Sequence, residues 1–484
     1  MQIPGQESLF IASLFTALDI IVSVVASGHV LLHKRDTRAS IGWIGLIWLS
    51  PMLGSVLYVL LGVNRIHRKA KRLSRERPRI ETGPPLVCDV GGFENAIGPD
   101  HENFKAIARL GDHVSPWPLM PGNDILPLFG GDEAYPAMLR AIDEARETIS
   151  LGTYIFDRDR VGLLFMDALE KAKARGVEVR VLIDDFGSRH TWRPVIRPLR
   201  KAGIAVASYH PTLAPGWLPY LNLRNHRKIL VIDGVVGFTG GLNILEDYSW
   251  ATSPASPKMD VHFQLRGSVV AHLQEVFADD WFVCSGEILE GDPWFPTIPG
   301  DGEILARGIV DGPDDDQDHL LRVILGAIAC ADSTVAVVNP YFLPDSRLIS
   351  ALEVAALRGV QVDILLPSEN NHILIQWASM ALLRELIESG CRIWFSPPPF
   401  DHTKLMVVDS AWSFIGSANL DPRSLRLNFE FNVECYGKDL AIQLDEYIDQ
   451  RIANASPVTT AFLDRRSLAV KLRDGAARLL SPYL

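Results

Sequence analysis

Cysteine is scarce and scattered in this chain: Cys88, Cys284, Cys330, Cys391 and Cys435 are odd in number and include no CxxC pair. That excludes a disulfide framework and a cysteine-based zinc site, and it fits a reducing compartment. Histidines 190, 210, 262, 319 and 372 show no metal-ligand spacing, so no metal and no other cofactor is expected. Positive charge is also in deficit, with 47 Lys and Arg against 58 Asp and Glu and a net charge of −11. A nucleic-acid partner needs a broad basic face, and none is expected here. Finally, no Lys or Arg precedes Lys34. The first apolar stretch therefore lacks the basic n-region of a cleaved signal peptide, and no small-residue cleavage site precedes the second stretch.

Residues 9–32 and 41–63 are two nearly continuous apolar stretches. Each is long enough to cross a hydrocarbon core of about 30 Å at ~1.5 Å per residue. Three basic residues lie between them (Lys34, Arg35, Arg38) and eight follow between Arg65 and Arg79. The positive-inside rule then predicts a transmembrane hairpin with both ends in the cytoplasm. Residues 1–80 carry a net charge of +7, which leaves −18 on the remainder. The pattern is an acidic body on a basic collar facing anionic lipid headgroups.

Beyond residue 120 the chain alternates helical and strand patterns, as α/β units do. The order repeats. AYPAMLRAIDEARETI, SLGTYIF, GLLFMDALEKAKARG, VEVRVLID and IAVASY are matched by HLLRVILGAIACA, TVAVVNPYF, RLISALEVAALRG, VQVDILLP and CRIWFS. RGVEVRVLI and RGVQVDILL mark the same junction in each half. A period near 180 residues means duplicated domains and not a solenoid. The expected layout is a hairpin and collar (1–80), a Pro- and Gly-rich linker (81–118), a first half (119–298) and a second half (299–484).

Each half carries one His-x-Lys-x4-Asp motif: His226, Lys228, Asp233 and His402, Lys404, Asp409. A Gly-rich step ending in Asn follows, GFTGGLN (Asn243) and FIGSAN (Asn419). Strand alternation puts His and Lys of each motif on one face. The aspartates fall on the opposite parity, at an expected turn, and are assigned a supporting part. Two imidazoles and two ammonium groups from separate halves suit an anionic phosphodiester. The lysines and asparagines neutralise its oxygens, one histidine attacks phosphorus, and the other serves as acid and base.

These paired motifs resemble those of the phospholipase D superfamily over roughly residues 120–484. The hairpin, the chain length, the ending ARLLSPYL and the run HTKLMVVDSAWSFIGSANLDPRSLRLNFEFN resemble bacterial cardiolipin synthases in particular. The resemblance implies two α/β halves related by a pseudo-twofold axis, with one site between them. It implies transfer of phosphatidyl from one phosphatidylglycerol to another through a phosphohistidine, at the bacterial inner membrane. Hydrolysis, or transfer to another alcohol, is the alternative within the superfamily. A superfamily nuclease fits the acidic body and hairpin less well, and a non-catalytic scaffold would be expected to lose one His or Lys. By analogy His226 is the nucleophile and His402 the acid/base, although the sequence leaves that pseudo-symmetry unbroken. The family's histidine-orienting acid falls on Glu430 in the second half and Asp260 in the first. Three apolar segments stay open between membrane contact and core packing: residues 211–225, with Trp217, Leu218, Tyr220 and Leu221; residues 370–386; and the C-terminal SLAVKLRDGAARLLSPYL.

Overall fold

The computed structural model describes residues 6–34, 37–59, 90–189, 194–209, 224–252, 257–298, 300–313 and 318–481. The basic collar, the Trp217–Leu221 segment, His190 and His210 lie outside the described residues. The described residues fall into two compact units, the N-terminal helices and the body from residue 90 onward.

In the N-terminal unit the first apolar stretch is one helix, Gln6–His33. Its Ser13–His33 part is the single described segment long and apolar enough to cross a membrane. The second stretch is divided into helices Thr37–Leu49 and Pro51–Leu57. The break falls where Ser50 leaves helical geometry and Pro51 offers no N–H to the preceding turn. The second stretch packs back on the first: Trp48 Nε1 donates to Ser27 Oγ at 3.1 Å, and His29 Nδ1 lies 2.7 Å from Tyr58 Oη. Ser23, Ser27 and Ser55 are buried while Leu14, Phe15, Val25, Leu31, Ile41 and Leu53 point outward. The serines share the inside with Ala26, Val30, Ile47 and Tyr58, while large apolar side chains cover the outside, a surface that suits lipid.

In the body, the strands of the first half are β1 (Met120–Gly122), β2 (Asp124–Phe129), β3 (Thr148–Thr153), β4 (Glu178–Asp184), β5 (Ala205–Tyr209), β6 (Arg224–Asn225), β7 (Ile229–Ile232), β8 (Val236–Gly240) and β9 (Val261–Arg266). Those of the second half are β10 (Gly302–Asp311), β11 (Thr334–Val338), β12 (Gln361–Pro367), β13 (Arg392–Ser396), β14 (Leu405–Val408), β15 (Trp412–Gly416), β16 (Asn428–Tyr436) and β17 (Ser456–Val458). One sheet runs β2-β9-β8-β7-β3-β4-β5. In the other, β16-β15-β14-β11-β12-β13 retraces β9-β8-β7-β3-β4-β5 position for position. The duplication read from the sequence is therefore a duplication of topology. Strands such as ILVI and LMVV are apolar throughout because both faces of each sheet are covered.

The shared helix-to-strand junction has a local cause. Gly176 and Gly359 adopt φ of +96° and +94°, a left-handed turn that ends each helix and that only glycine enters cheaply. The apolar segment ILIQWASMALLRELIESG forms two helices, Ile373–Met380 and Leu383–Glu388. Between them the N–H groups of Ala381 and Leu382 bond three residues back and tighten the chain.

The boundary drawn at residue 118 needs correction. The expected linker is folded from Val90 on, with helices Val90–Ile97 and Lys105–Val114. Phe93, Phe104, Ile107 and Val114 belong to the second half's core. Their Gly- and Pro-rich surroundings hid an apolar face whose partner lies some 200 residues onward: buried Arg307 bonds the Ala108 carbonyl and pairs with Glu434 and Asp112. Likewise β1 pairs with β10 of the second sheet. The C-terminal helix, Leu468–Leu479, rests on Ile373–Met380, with Arg473 4.1 Å from the Trp377 ring. Leu468, Leu472 and Leu479 remain on its exposed side.

Candidate active site

Each motif enters its hairpin, β7–β8 or β14–β15, from an extended segment holding the His and the Lys. The aspartates sit at the far turns, about 16 Å along the strand from their lysines at ~3.3 Å per residue. Asp233 and Asp409 adopt φ of 50° and 51° there. Asp233 accepts the N–H groups of Arg146, Glu147 and Thr148 at 2.8–2.9 Å. Asp409 accepts those of Asp332, Ser333 and Thr334 at 2.7–2.8 Å. Each carboxylate thus ties its hairpin to the start of the neighbouring strand, remote from the histidines.

At the near end the halves cross. Strand β6 runs parallel to β16, with Asn225 opposite Phe429, and His226 N donates to Phe429 O at 2.9 Å. Met259 forms a parallel bridge with Asp401, and His402 N donates to Met259 O at 2.7 Å. One residue further along each partner stands the acid. Glu430 lies 3.0 Å from Nδ1 of His226, and Asp260 lies 2.9 Å from Nδ1 of His402. Each half therefore supplies the carboxylate for the other half's imidazole. Paired clamps hold the crossings: Asp280 takes Arg227 at 2.8 and 2.9 Å and Asn225 at 2.7 Å, while Asp401 takes Arg451 at 2.8 Å.

Glycine makes one of these contacts possible. A Cβ on Gly241 would come 2.3 Å from Asp260 Oδ2, so GGLN brings the backbone directly against that carboxylate. The matching residue in GSAN is Ser417, whose hydroxyl donates to the longer Glu430 at 2.6 Å. Asn428 adds a second donor to Glu430 at 3.1 Å. The asparagines after these turns are partly engaged. Asn243 Oδ1 accepts from Ile155 N at 3.1 Å, and Asn419 Nδ2 donates to Ser424 Oγ at 3.2 Å.

The site is buried, and burial dominates its electrostatics. It pushes the His226 imidazole down to about 4 and His402 well below its ordinary range, with the neighbouring lysines adding to both shifts. Burial also lowers Lys228 to about 7 and Lys404 to about 8, against the pull of Glu430 and Asp260. The carboxylates differ. Burial lifts Asp260 to about 7, with Asp401 contributing and Lys404 opposing. The same burial acts on Glu430, but the facing His226, Lys228 and the Ser417 hydroxyl hold it below its usual value. Four groups able to carry positive charge thus converge with two carboxylates, an arrangement completed by a phosphodiester monoanion. Among the described residues no group of three His, Cys, Asp or Glu side chains is placed to hold a metal.

Sequence reasoning did not single out three tyrosines. The Tyr154 and Tyr341 rings stand 5.3 Å from His226 and 5.9 Å from His402, and Tyr248 Oη lies 3.3 Å from His402 Nδ1. The first two end matching strands, TYIF and NPYF, so the repeat carried a signal for them. Nothing local marked Tyr248.

A family model described as "Cardiolipin synthase, PLD-like domain" matches residues 138–281 and 324–452, and one described as "Phospholipase_D-nuclease N-terminal" matches residues 17–62. A cardiolipin synthase of Listeria monocytogenes serotype 4b is 30% identical over 482 residues, covering 98% of this chain and 99% of its own. The major cardiolipin synthase ClsA of Bacillus subtilis is 29% identical, covering 99% of each chain. Among solved structures, phosphatidylserine synthase from Haemophilus influenzae Rd KW20 superposes with a TM-score of 0.61 at 14% identity, over 78% of this chain and all of that one. That likeness concerns the fold.

Proposed function

The chain belongs to the PLD-like cardiolipin synthase family and is a phosphatidyltransferase enzyme, and from that premise we propose that it joins two phosphatidylglycerol molecules into cardiolipin with release of glycerol. One phosphodiester is exchanged for another, so no nucleotide is consumed.

The observation that carries the mechanism is the unequal surroundings of the two Nδ1 atoms. Nδ1 of His226 faces a carboxylate held in its charged form, so it donates its proton to Glu430 and leaves the Nε2 lone pair free. Nδ1 of His402 instead lies between Asp260 Oδ2 at 2.9 Å and Lys404 Nζ at 3.0 Å. A phosphodiester monoanion in the site offsets the lysine charge that helps to hold this imidazole neutral, so His402 takes a second proton and, as the imidazolium with Asp260 at Nδ1, has an Nε2 proton to give. In this reading Nε2 of His226 attacks phosphorus, and the bond to the glycerol oxygen breaks. His402 gives its Nε2 proton to that oxygen, leaving a phosphohistidine. The hydroxyl of the second phosphatidylglycerol then passes its proton to His402 and attacks phosphorus, and the P–N bond breaks. Lys228 and Lys404 offset the charge on the phosphoryl oxygens in both steps, with Asn243 and Asn419 beside them.

For the membrane, we propose that both N-terminal stretches span the bilayer and leave the body on the cytoplasmic side. The packing of the second stretch on the first, with apolar side chains outward, supports this reading.

The test is turnover of labelled phosphatidylglycerol by the purified full-length protein in detergent. Cardiolipin and free glycerol in equal amounts are expected. Phosphatidic acid as the only product would overturn the synthase reading in favour of hydrolysis.

A further inference from the structure

The pseudo-twofold symmetry fails beside the histidines. Arg224 stands two residues before His226, where Phe400 stands before His402. Arg423 stands four residues after Asn419, where Asp247 stands after Asn243. One side of the site is therefore cationic where the other is aromatic and acidic.

Arg224 and Arg423 come from different halves and meet around Asn428. In the β6–β16 pairing Arg224 is opposite Asn428, and Asn428 N donates to Arg423 O at 3.0 Å. The Arg224 guanidinium lies 4.0 Å from the Phe186 ring, and its charge acts on the nearby Tyr154 hydroxyl. Lys228 Nζ approaches the same Tyr154 ring at 5.6 Å, and that ring stands 5.3 Å from His226. The cations thus run on from the motif lysine.

Both arginines keep a buried N–H in reserve: Arg224 Nε and Arg423 Nη1 have no hydrogen-bond partner among the described residues. The nearby acids are otherwise committed. Asp184 accepts the N–H groups of Phe186, Gly187 and Asn225 at 2.8–3.0 Å, and Asp421 accepts that of Ser424 at 2.8 Å. Burial first and Arg224's charge second push Arg423 below the ordinary arginine range, although Asp421 opposes them. Two like charges held together, with unused donors, match an anion's oxygens.

We propose that Arg224 and Arg423, with the Tyr154 hydroxyl, form a second anion subsite that holds the phosphate of the lipid that is not attacked. Its ligand is a phosphodiester monoanion one glycerol away from the reacting phosphorus. The inference rests on the two-phosphatidylglycerol reading, because two phosphates must then be held while the motif residues neutralise one. Water and free glycerol carry no such charge, so the subsite favours an anionic lipid acceptor over both.

The experiment uses full-length protein with labelled phosphatidylglycerol and added glycerol. It follows cardiolipin formation alongside exchange of labelled glycerol into phosphatidylglycerol, in wild type and in Arg224→Gln, Arg423→Gln, Arg224→Lys and Arg423→Lys. In the Gln variants the ratio of cardiolipin formation to glycerol exchange is expected to fall about tenfold, the scale of one charge-assisted hydrogen bond. The Lys variants, which keep the charge, should recover part of it. Equal loss of both reactions, or an unchanged ratio, would overturn the subsite. Wild-type protein that exchanges glycerol but makes no cardiolipin would overturn the two-phosphatidylglycerol reading, and this ligand assignment with it.

Discussion

Nδ1 of His226, in the first half, lies 3.0 Å from the carboxylate of Glu430 in the second, and the reciprocal pair His402–Asp260 closes at 2.9 Å. Neither half holds a complete histidine–carboxylate pair. Both pairs close where the halves cross, at β6 with β16 and at Met259 with Asp401.

Because Glu430 carries charge and Asp260 sits near 7, their amide variants should differ. Glu430→Gln weakens the acceptor for the His226 proton and should slow formation of the phosphohistidine by roughly 100-fold, a loss of about 2–3 kcal/mol. Asp260→Asn should act mainly on proton transfer at His402. Rapid-quench trapping of labelled lipid on the protein separates the two. If Asp260→Asn abolished trapping and Glu430→Gln spared it, the nucleophile would be His402.

Gly241→Ala places a methyl group 2.3 Å from Asp260 Oδ2, so the carboxylate and the turn must move apart. Cardiolipin formation should fall at least about tenfold, from misalignment of Asp260 against His402. Wild-type rates in a folded Gly241→Ala protein would show that the carboxylate's position does not matter.

Asp409→Ala leaves three N–H groups at the entry to β11, those of Asp332, Ser333 and Thr334, without their acceptor. The expected cost is about 2–4 kcal/mol of stability, read from chemical denaturation. Activity of the remaining folded protein should decline far less than in His402→Ala. A stable but inactive Asp409→Ala protein would instead place the carboxylate in the chemistry.

The rate should follow a bell in pH. The nucleophile must be neutral, so kcat/KM rises as pH climbs through the His226 value of about 4. The lysines and the His402 acid must be protonated, so it falls as pH climbs, with the lysine steps at about 7 for Lys228 and about 8 for Lys404. Lys228→Arg keeps its charge at all these pH values, and whatever activity survives should lose the lower alkaline step. A profile flat from pH 6 to 9 would rule out this assignment.

The sequence by itself determined what is periodic or local. The repeat in RGVEVRVLI and RGVQVDILL gave the two halves because each sheet is built from contiguous apolar strands closed by a left-handed glycine. The spacing His226-x-Lys228 and His402-x-Lys404 marked the proposed reacting groups because alternation fixes which side chains share a face. The aspartates were readable as turn residues for the same reason. What depended on contacts between distant segments was decided only by the tertiary structure. Residues 90–114 belong to the second core because of Arg307 and Glu434, some 200 and 330 residues away. Which carboxylate serves which histidine was settled by two short parallel pairings that leave no periodic trace. So was the meeting of Arg224 and Arg423 around Asn428, since neither residue carries a pattern of its own.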